Sequence, residues 1–102
     1  MFAAEYAPAE RPARRSKRAT VAMDTPVEQS GMARTLCKVV DISLHGARIQ
    51  SYSALRKGST IWLTLPEIGP VAANVMWADD YTAGCQFQRP LSQTSFDQLA
   101  ER

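Results

Sequence analysis

An all-β domain, a small barrel or sandwich with one helix at its C-terminal end, is the fold class this sequence predicts. Three observations carry that expectation. From Thr20 onward apolar and polar residues alternate in short segments; Gly, Pro and Asp divide those segments at regular spacing; only the last stretch changes to helical spacing. At 102 residues, 45% hydrophobic and 22% charged, the chain has room for one domain of ordinary globular composition.

The elements follow in order. Thr20–Glu28 is the first expected strand and Ala33–Ser43 the second, the latter carrying the β-branched run Val39-Val40 and Ile42. Gln29-Ser30-Gly31 supplies a turn between them. Ala47–Ser51 sets Ala47 and Ile49 on one face and Arg48 and Gln50 on the other. Ser59–Leu65 opposes Ile61, Leu63 and Leu65 to Thr60, Trp62 and Thr64, after a turn at Lys57-Gly58. Val71–Trp77 is a fifth strand entered through Gly69-Pro70, and Gly84–Gln88 a sixth, reached across the polar turn Asp79-Asp80. Ser92 then offers an N-cap to a short amphipathic helix, with Phe96, Leu99 and Ala100 at helical spacing for packing on the sheet.

Several function classes find little support. No apolar run approaches the roughly 18 residues that span a bilayer. Met1–Ala9 lacks the basic start and apolar stretch of a signal peptide, so the expected compartment is the cytoplasm. Cys37 and Cys85 stand far apart and outside any CxxC pair, which reads as two buried apolar groups rather than a disulfide. With His45 as the sole histidine, a zinc site or a Cys-His nucleophile has almost nothing to work with. No nucleophile-base set, paired carboxylates or phosphate-cradling glycine loop is present, so an enzyme is not expected.

Charge is more informative by position than by total. Residues 1–13, rich in Ala, Pro and Glu, read as a flexible arm that Pro8 and Pro12 keep from helix. Arg11, Arg14, Arg15, Lys17 and Arg18 then place five cations within eight residues. From Ala19 onward seven basic residues face eight acidic ones, a net of −1. Such asymmetry points to an anionic partner.

Two elements carry recognition chemistry. In Arg14-Arg15-Ser16-Lys17-Arg18 the planar guanidinium forks match a phosphate, or guanine O6 and N7, in two-point fashion. Solvated charge or general attraction to polynucleotide explains such a cluster equally well when it is taken alone. In Asp41-Ile42-Ser43-Leu44-His45-Gly46, Asp and Ser alternate with apolar residues at a strand end and are expected to project to one side, with Gly46 permitting a tight turn. A carboxylate accepts from guanine N1 and N2, and a hydroxyl donates or accepts. The plainer alternative is a turn in which Asp41 and Ser43 bond only their own backbone.

Together the order RxxxR, strand pair, DxSxxG resembles the signature of the PilZ family. Val75-Met76-Trp77 followed by Gly84-Cys85-Gln86-Phe87 is similar to the family's closing hairpin. The resemblance covers roughly residues 14–99 and implies a six-stranded antiparallel β-barrel of PilZ type with a C-terminal helix, a single domain over 14–102 after the arm. It also implies a receptor for cyclic di-GMP, bound as one dinucleotide or an intercalated pair, with no other cofactor. Arg14 and Arg18 match the arginine pair, although Arg11 and Arg15 also satisfy RxxxR; Arg18 is preferred because it abuts the first strand. Asp41, Ser43 and Gly46 match the loop that receives a guanine, and Arg15 fills a slot that is often basic. Trp77 offers guanine a stacking surface, or fills core. Arg48, on the polar face of the strand after Gly46, either touches ligand or is a solvated charge, the second being the preferred reading, and His45 reads as facing solvent. The resemblance further implies a protein partner downstream, no polynucleotide and no membrane insertion. Two rivals stand beside it: a PilZ-fold interaction module that binds no nucleotide, and a nucleic-acid binder, which would want more aromatics near the arm than Tyr6.

Overall fold

The computed structural model describes residues 18–29 and 34–101. Among these residues the alternation yields six strands: β1 (Ala19–Gln29), β2 (Thr35–Ile42), β3 (Gly46–Ser51), β4 (Thr60–Leu65), β5 (Gly69–Ala78) and β6 (Thr82–Phe87). One helix, α1 (Gln93–Ala100), follows. Every pair of neighbours is antiparallel, and the ring β1-β2-β3-β6-β5-β4 returns to β1. Of barrel and sandwich, the chain forms the closed barrel, which leaves no sheet edge exposed.

The inward residues make one core. Val27, Val39, Ile49, Ile61, Leu63 and Val75 are essentially inaccessible to solvent. The alternation expected of the fourth segment is observed: Ile61, Leu63 and Leu65 point inward, while Trp62 lies outside. Helix α1 begins at Ser92, whose hydroxyl accepts from the Ser95 amide at 3.0 Å, and it adds Phe96 and Leu99 to the same core. No helix among the described residues is long and apolar enough to cross a membrane.

Strand limits differ from expectation where long-range pairing overrides local signals. Gly69 and Pro70 are the first residues of β5 rather than its approach, because Gly69 already pairs with Leu65. The chain reverses one step earlier, over Pro66–Ile68, with the Ile68 amide on the Leu65 carbonyl and Glu67 at φ 67°. Strand β6 starts at Thr82 because Thr82 and Ala83 pair with Gln50 and Ile49 of β3. Gln29, expected in a turn, ends β1 with its side chain buried. Its Oε1 accepts from the Ser59 hydroxyl at 2.9 Å and the Arg56 amide at 3.2 Å, fixing the crossover into β4. The other two residues of that expected turn, Ser30 and Gly31, lie outside the described residues, as does the arm 1–13.

Cys37 and Cys85 are free and buried in the barrel. Burial pushes each thiol from 9.0 up to about 12, aided by the charge of Asp24 at Cys37 and by the nearness of Cys37 at Cys85. A thiol whose folded pKa is raised favours the native state fully below the unfolded pKa, and that contribution declines as pH climbs between the two values. The thermal midpoint is therefore expected to fall between about pH 9 and 12, and less steeply in the Cys37→Ala/Cys85→Ala double variant. Equal slopes for the two proteins would show that the thiols do not contribute.

Candidate functional site

Three strand irregularities decide what reaches the outer surface. Along β2, Val39 pairs with Ile49 and Asp41 with Arg48, so Val40 is an extra residue with no counterpart in β3. Val39 and Ile42 both stay in the core, and Asp41 turns outward. Strand β1 carries its own extra residue between Thr20 and Met23, which leaves Thr20 paired with Asp41. On β5, Val75 pairs with Cys85 and Trp77 with Gly84, which makes Met76 the extra residue. Val75 stays buried while Met76 and Trp77 both emerge, half exposed.

Asp41 is consequently flanked by two cations, Arg18 just before β1 and Arg48 in β3. Its Oδ1 accepts from Arg18 Nε at 2.7 Å, and its Oδ2 accepts from Arg48 Nη2 at 3.4 Å. The carboxylate is largely covered, with 17% of the Asp41 side chain exposed against 46% for Arg18 and 52% for Arg48. Half-exposed ion pairs of this kind contribute about 0–1 kcal/mol to stability. Their arrangement is better read as a prepared polar surface than as a structural brace.

The loop after β2 is built differently. Ser43 is buried, and its hydroxyl accepts from the Gly46 amide at 3.2 Å and the His45 amide at 3.3 Å while donating to the Gly46 carbonyl at 3.4 Å. The Ser43 amide also donates to the Gly46 carbonyl, at 2.9 Å. The segment leading to the helix pins the loop from outside, with Phe87 N–H on the His45 carbonyl and Leu91 N–H on the Leu44 carbonyl, each at 2.8 Å. Asp41 and Ser43 therefore do not project together: the bulge sends Asp41 to the surface, and Ser43 closes the turn. The backbone-bonding alternative describes Ser43 but not Asp41. Gly46 serves close approach rather than unusual backbone angles, because a Cβ there would lie 2.2 Å from the Cys85 carbonyl oxygen.

These parts border one cavity of about 550 Å³, a size usual for small-molecule sites. Arg18, Asp41 and Arg48 line one side, the Ser43–Gly46 loop the next, and Met76 and Trp77 the far side. Trp77 lies over Gly84, where a Cβ would come within 2.1 Å of its Nε1. Of the residues singled out in the sequence, Arg18, Asp41, Ser43, Gly46 and Trp77 thus share a site, whereas Arg14 and Arg15 lie outside the described residues. His45 is half-buried against the cavity rather than facing solvent. Met76 and Gly84 were not expected here, and Arg48, for which solvated charge was the preferred of two readings, lines the cavity. Three apolar residues in a row at Val75-Met76-Trp77 were the available sign of a bulge, since strict alternation cannot bury all three. Among the described residues no group of His, Cys, Asp and Glu could hold a metal ion.

A closed six-stranded barrel with a concave, part-apolar surface and a few convergent charged groups is the class of domain that the fold and the cavity define. The chain matches the PilZ domain family over residues 12–102 and belongs to that family. PilZ is a receptor domain family, known for cyclic di-GMP, and not an enzyme family. None of the curated proteins matches the chain.

The two glycines of the site predict contrasting variants. In Gly46→Ala the new Cβ meets backbone, so the β3–β6 pairing must shift and stability should drop by about 1–3 kcal/mol or more. In Gly84→Ala the atoms nearest the new Cβ belong to the Trp77 ring, a side chain that can swing aside. That variant should keep most of its stability and change its tryptophan emission. Denaturant melts with fluorescence separate the two, and a Gly46→Ala protein as stable as the parent would contradict the close approach.

Proposed function

We propose that this chain is a cyclic di-GMP receptor domain that folds its arginine arm over the barrel on binding and thereby signals to a protein partner. One observation carries the reading: in a PilZ barrel, a covered carboxylate flanked by two arginines lines the same cavity as an indole. A guanine base presents N1–H and N2–H donors that suit Asp41, and a flat face that suits Trp77. Arg18, with Arg14 and Arg15 before it, supplies forks for the phosphates. Ser43 and Gly46 hold the loop at the right height for the base. The dinucleotide carries two negative charges, which offset two of the five cations of residues 11–18. Ordering the arm costs conformational freedom, and the charge-assisted bonds must exceed that cost. The reordered arm then creates or covers a surface that the partner reads. The compartment that fits such a receptor is the cytoplasm.

Titration calorimetry with cyclic di-GMP tests the reading directly. Arg18→Ala and Asp41→Ala should each weaken binding by about 2–4 kcal/mol, and cyclic di-AMP should bind far more weakly than cyclic di-GMP. Trypsin should cut the arm at Arg14, Arg15, Lys17 and Arg18 quickly in the free protein and slowly with saturating ligand. A protein that binds no dinucleotide is an interaction module instead. Cleavage at one rate with and without ligand would remove the arm from the mechanism.

A further inference from the structure

Arg48 lies in an unbroken row of register partners on the outer surface. Asp41 of β2 pairs with Arg48 of β3, Arg48 with Gly84 of β6, and Gly84 with Trp77 of β5. Side chains at directly opposed positions stand about 4.5–5.5 Å apart. Arg48 therefore has the carboxylate of Asp41 on one side. On the other is a glycine that contributes no side chain, a gap filled by the Trp77 indole. Its bond to Asp41 is long, at 3.4 Å, whereas Arg18 holds the other carboxylate oxygen at 2.7 Å. Among the described residues Arg48 makes no other side-chain hydrogen bond, so most of its donors are open toward the cavity.

The geometry points to Arg48 as the residue that selects guanine over adenine, an assignment that rests on the cyclic di-GMP reading above. Guanine displays two donors, N1–H and N2–H, directly beside the acceptors O6 and N7. A carboxylate and a guanidinium at neighbouring register positions present the complementary order, acceptors next to donors. With Asp41 taking N1 and N2, Arg48 is the adjacent group that donates to O6 and N7. Adenine places an amino donor where guanine has O6, so it meets Arg48 donor to donor and meets Asp41 without an N2 donor. Because the Arg48 contact to Asp41 is long and half-exposed, a base edge displaces it at little cost, and Arg18 continues to hold the carboxylate in place. Arg48 is fixed on a central barrel strand, so it is positioned before ligand arrives.

Binding of cyclic di-GMP, cyclic di-AMP and cyclic di-IMP to the full chain and to Arg48→Ala and Arg48→Lys distinguishes this role from simple charge. Cyclic di-IMP keeps O6, N7 and N1–H and lacks only the N2 amino group. Arg48→Ala should weaken cyclic di-GMP and cyclic di-IMP about equally, by about 5- to 140-fold, the range of a good two-point base contact. It should also shrink the preference for cyclic di-GMP over cyclic di-AMP, leaving the cyclic di-GMP to cyclic di-IMP ratio at its parental value. Arg48→Lys keeps the charge and loses the fork, so it should recover affinity only in part and selectivity hardly at all. An unchanged thermal midpoint for both variants confirms that the effect is on recognition. If the parent binds cyclic di-GMP but Arg48→Ala binds it as tightly, or more tightly because Asp41 is freed, the inference falls and the receptor reading stands. If the parent binds no cyclic di-GMP, both fall.

Discussion

In a closed antiparallel barrel each strand residue is committed to the inside or the outside, and neighbours alternate. Asp41 has the same parity as Val39, and Trp77 the same parity as Val75; both valines are in the core. Uninterrupted strands would bury a carboxylate and an indole there, and an unpaired buried carboxylate costs several kcal/mol or more. The extra residues Val40 and Met76 reverse the parity at the two places where the surface needs these side chains. Each bulge acts after an inward valine, so the core keeps its apolar lining and the outside gains one polar and one aromatic wall. The cavity follows from that placement, since its two sides descend from strands on either side of β3 and β6.

Between those walls the floor is held by backbone rather than by side-chain chemistry. The Ser43 hydroxyl uses both acceptor positions and its donor within the loop, and two amides from the β6 end and the segment after it fix the loop carbonyls. Gly46 lets β3 lie against Cys85 with no room for a methyl group. A floor built this way loses little freedom when a ligand arrives, which is the condition under which contacts convert efficiently into affinity. Ser43 thus belongs to the site by shaping it, and its hydroxyl is committed before any base is present.

The fold was legible because the strands alternate over most of their length between clear breakers, and because Phe96 and Leu99 sit at helical spacing behind a capping serine. The site was legible only as residue types. Asp41, Ser43, Gly46 and Trp77 stand out by motif, but the sequence showed neither that Asp41 faces out while Ser43 faces in, nor that Arg48 is their neighbour. Those facts depend on bulges, and a bulge is a relation between two strands that no single segment displays. The same holds for Gly69-Pro70 and for Gln29, where turn chemistry was read locally and long-range pairing prevailed. Arg48 looked like solvated charge for a sound reason: position 48 does face outward, and only its register partners make that outward face a site.

Recognition in this reading divides between two parts of the chain with different physics. Residues 11–18, the end of the arm and its junction with β1, hold five of the twelve basic residues, whereas the sequence from Ala19 onward is almost balanced. Their attraction for a dianion is long-ranged and insensitive to the base, so the arm supplies affinity and rate. The barrel contributes a carboxylate, a guanidinium and an indole in fixed register, so it supplies discrimination, which depends on donors and acceptors within hydrogen-bond distance. The Arg18 side chain joins the two, because it precedes β1 by one residue and already holds Asp41. A ligand that engages the arm alone has no reason to prefer guanine, and one that engages the barrel alone leaves most of the cations unused. Only a molecule with guanine edges and two phosphates within reach of Arg18 satisfies both.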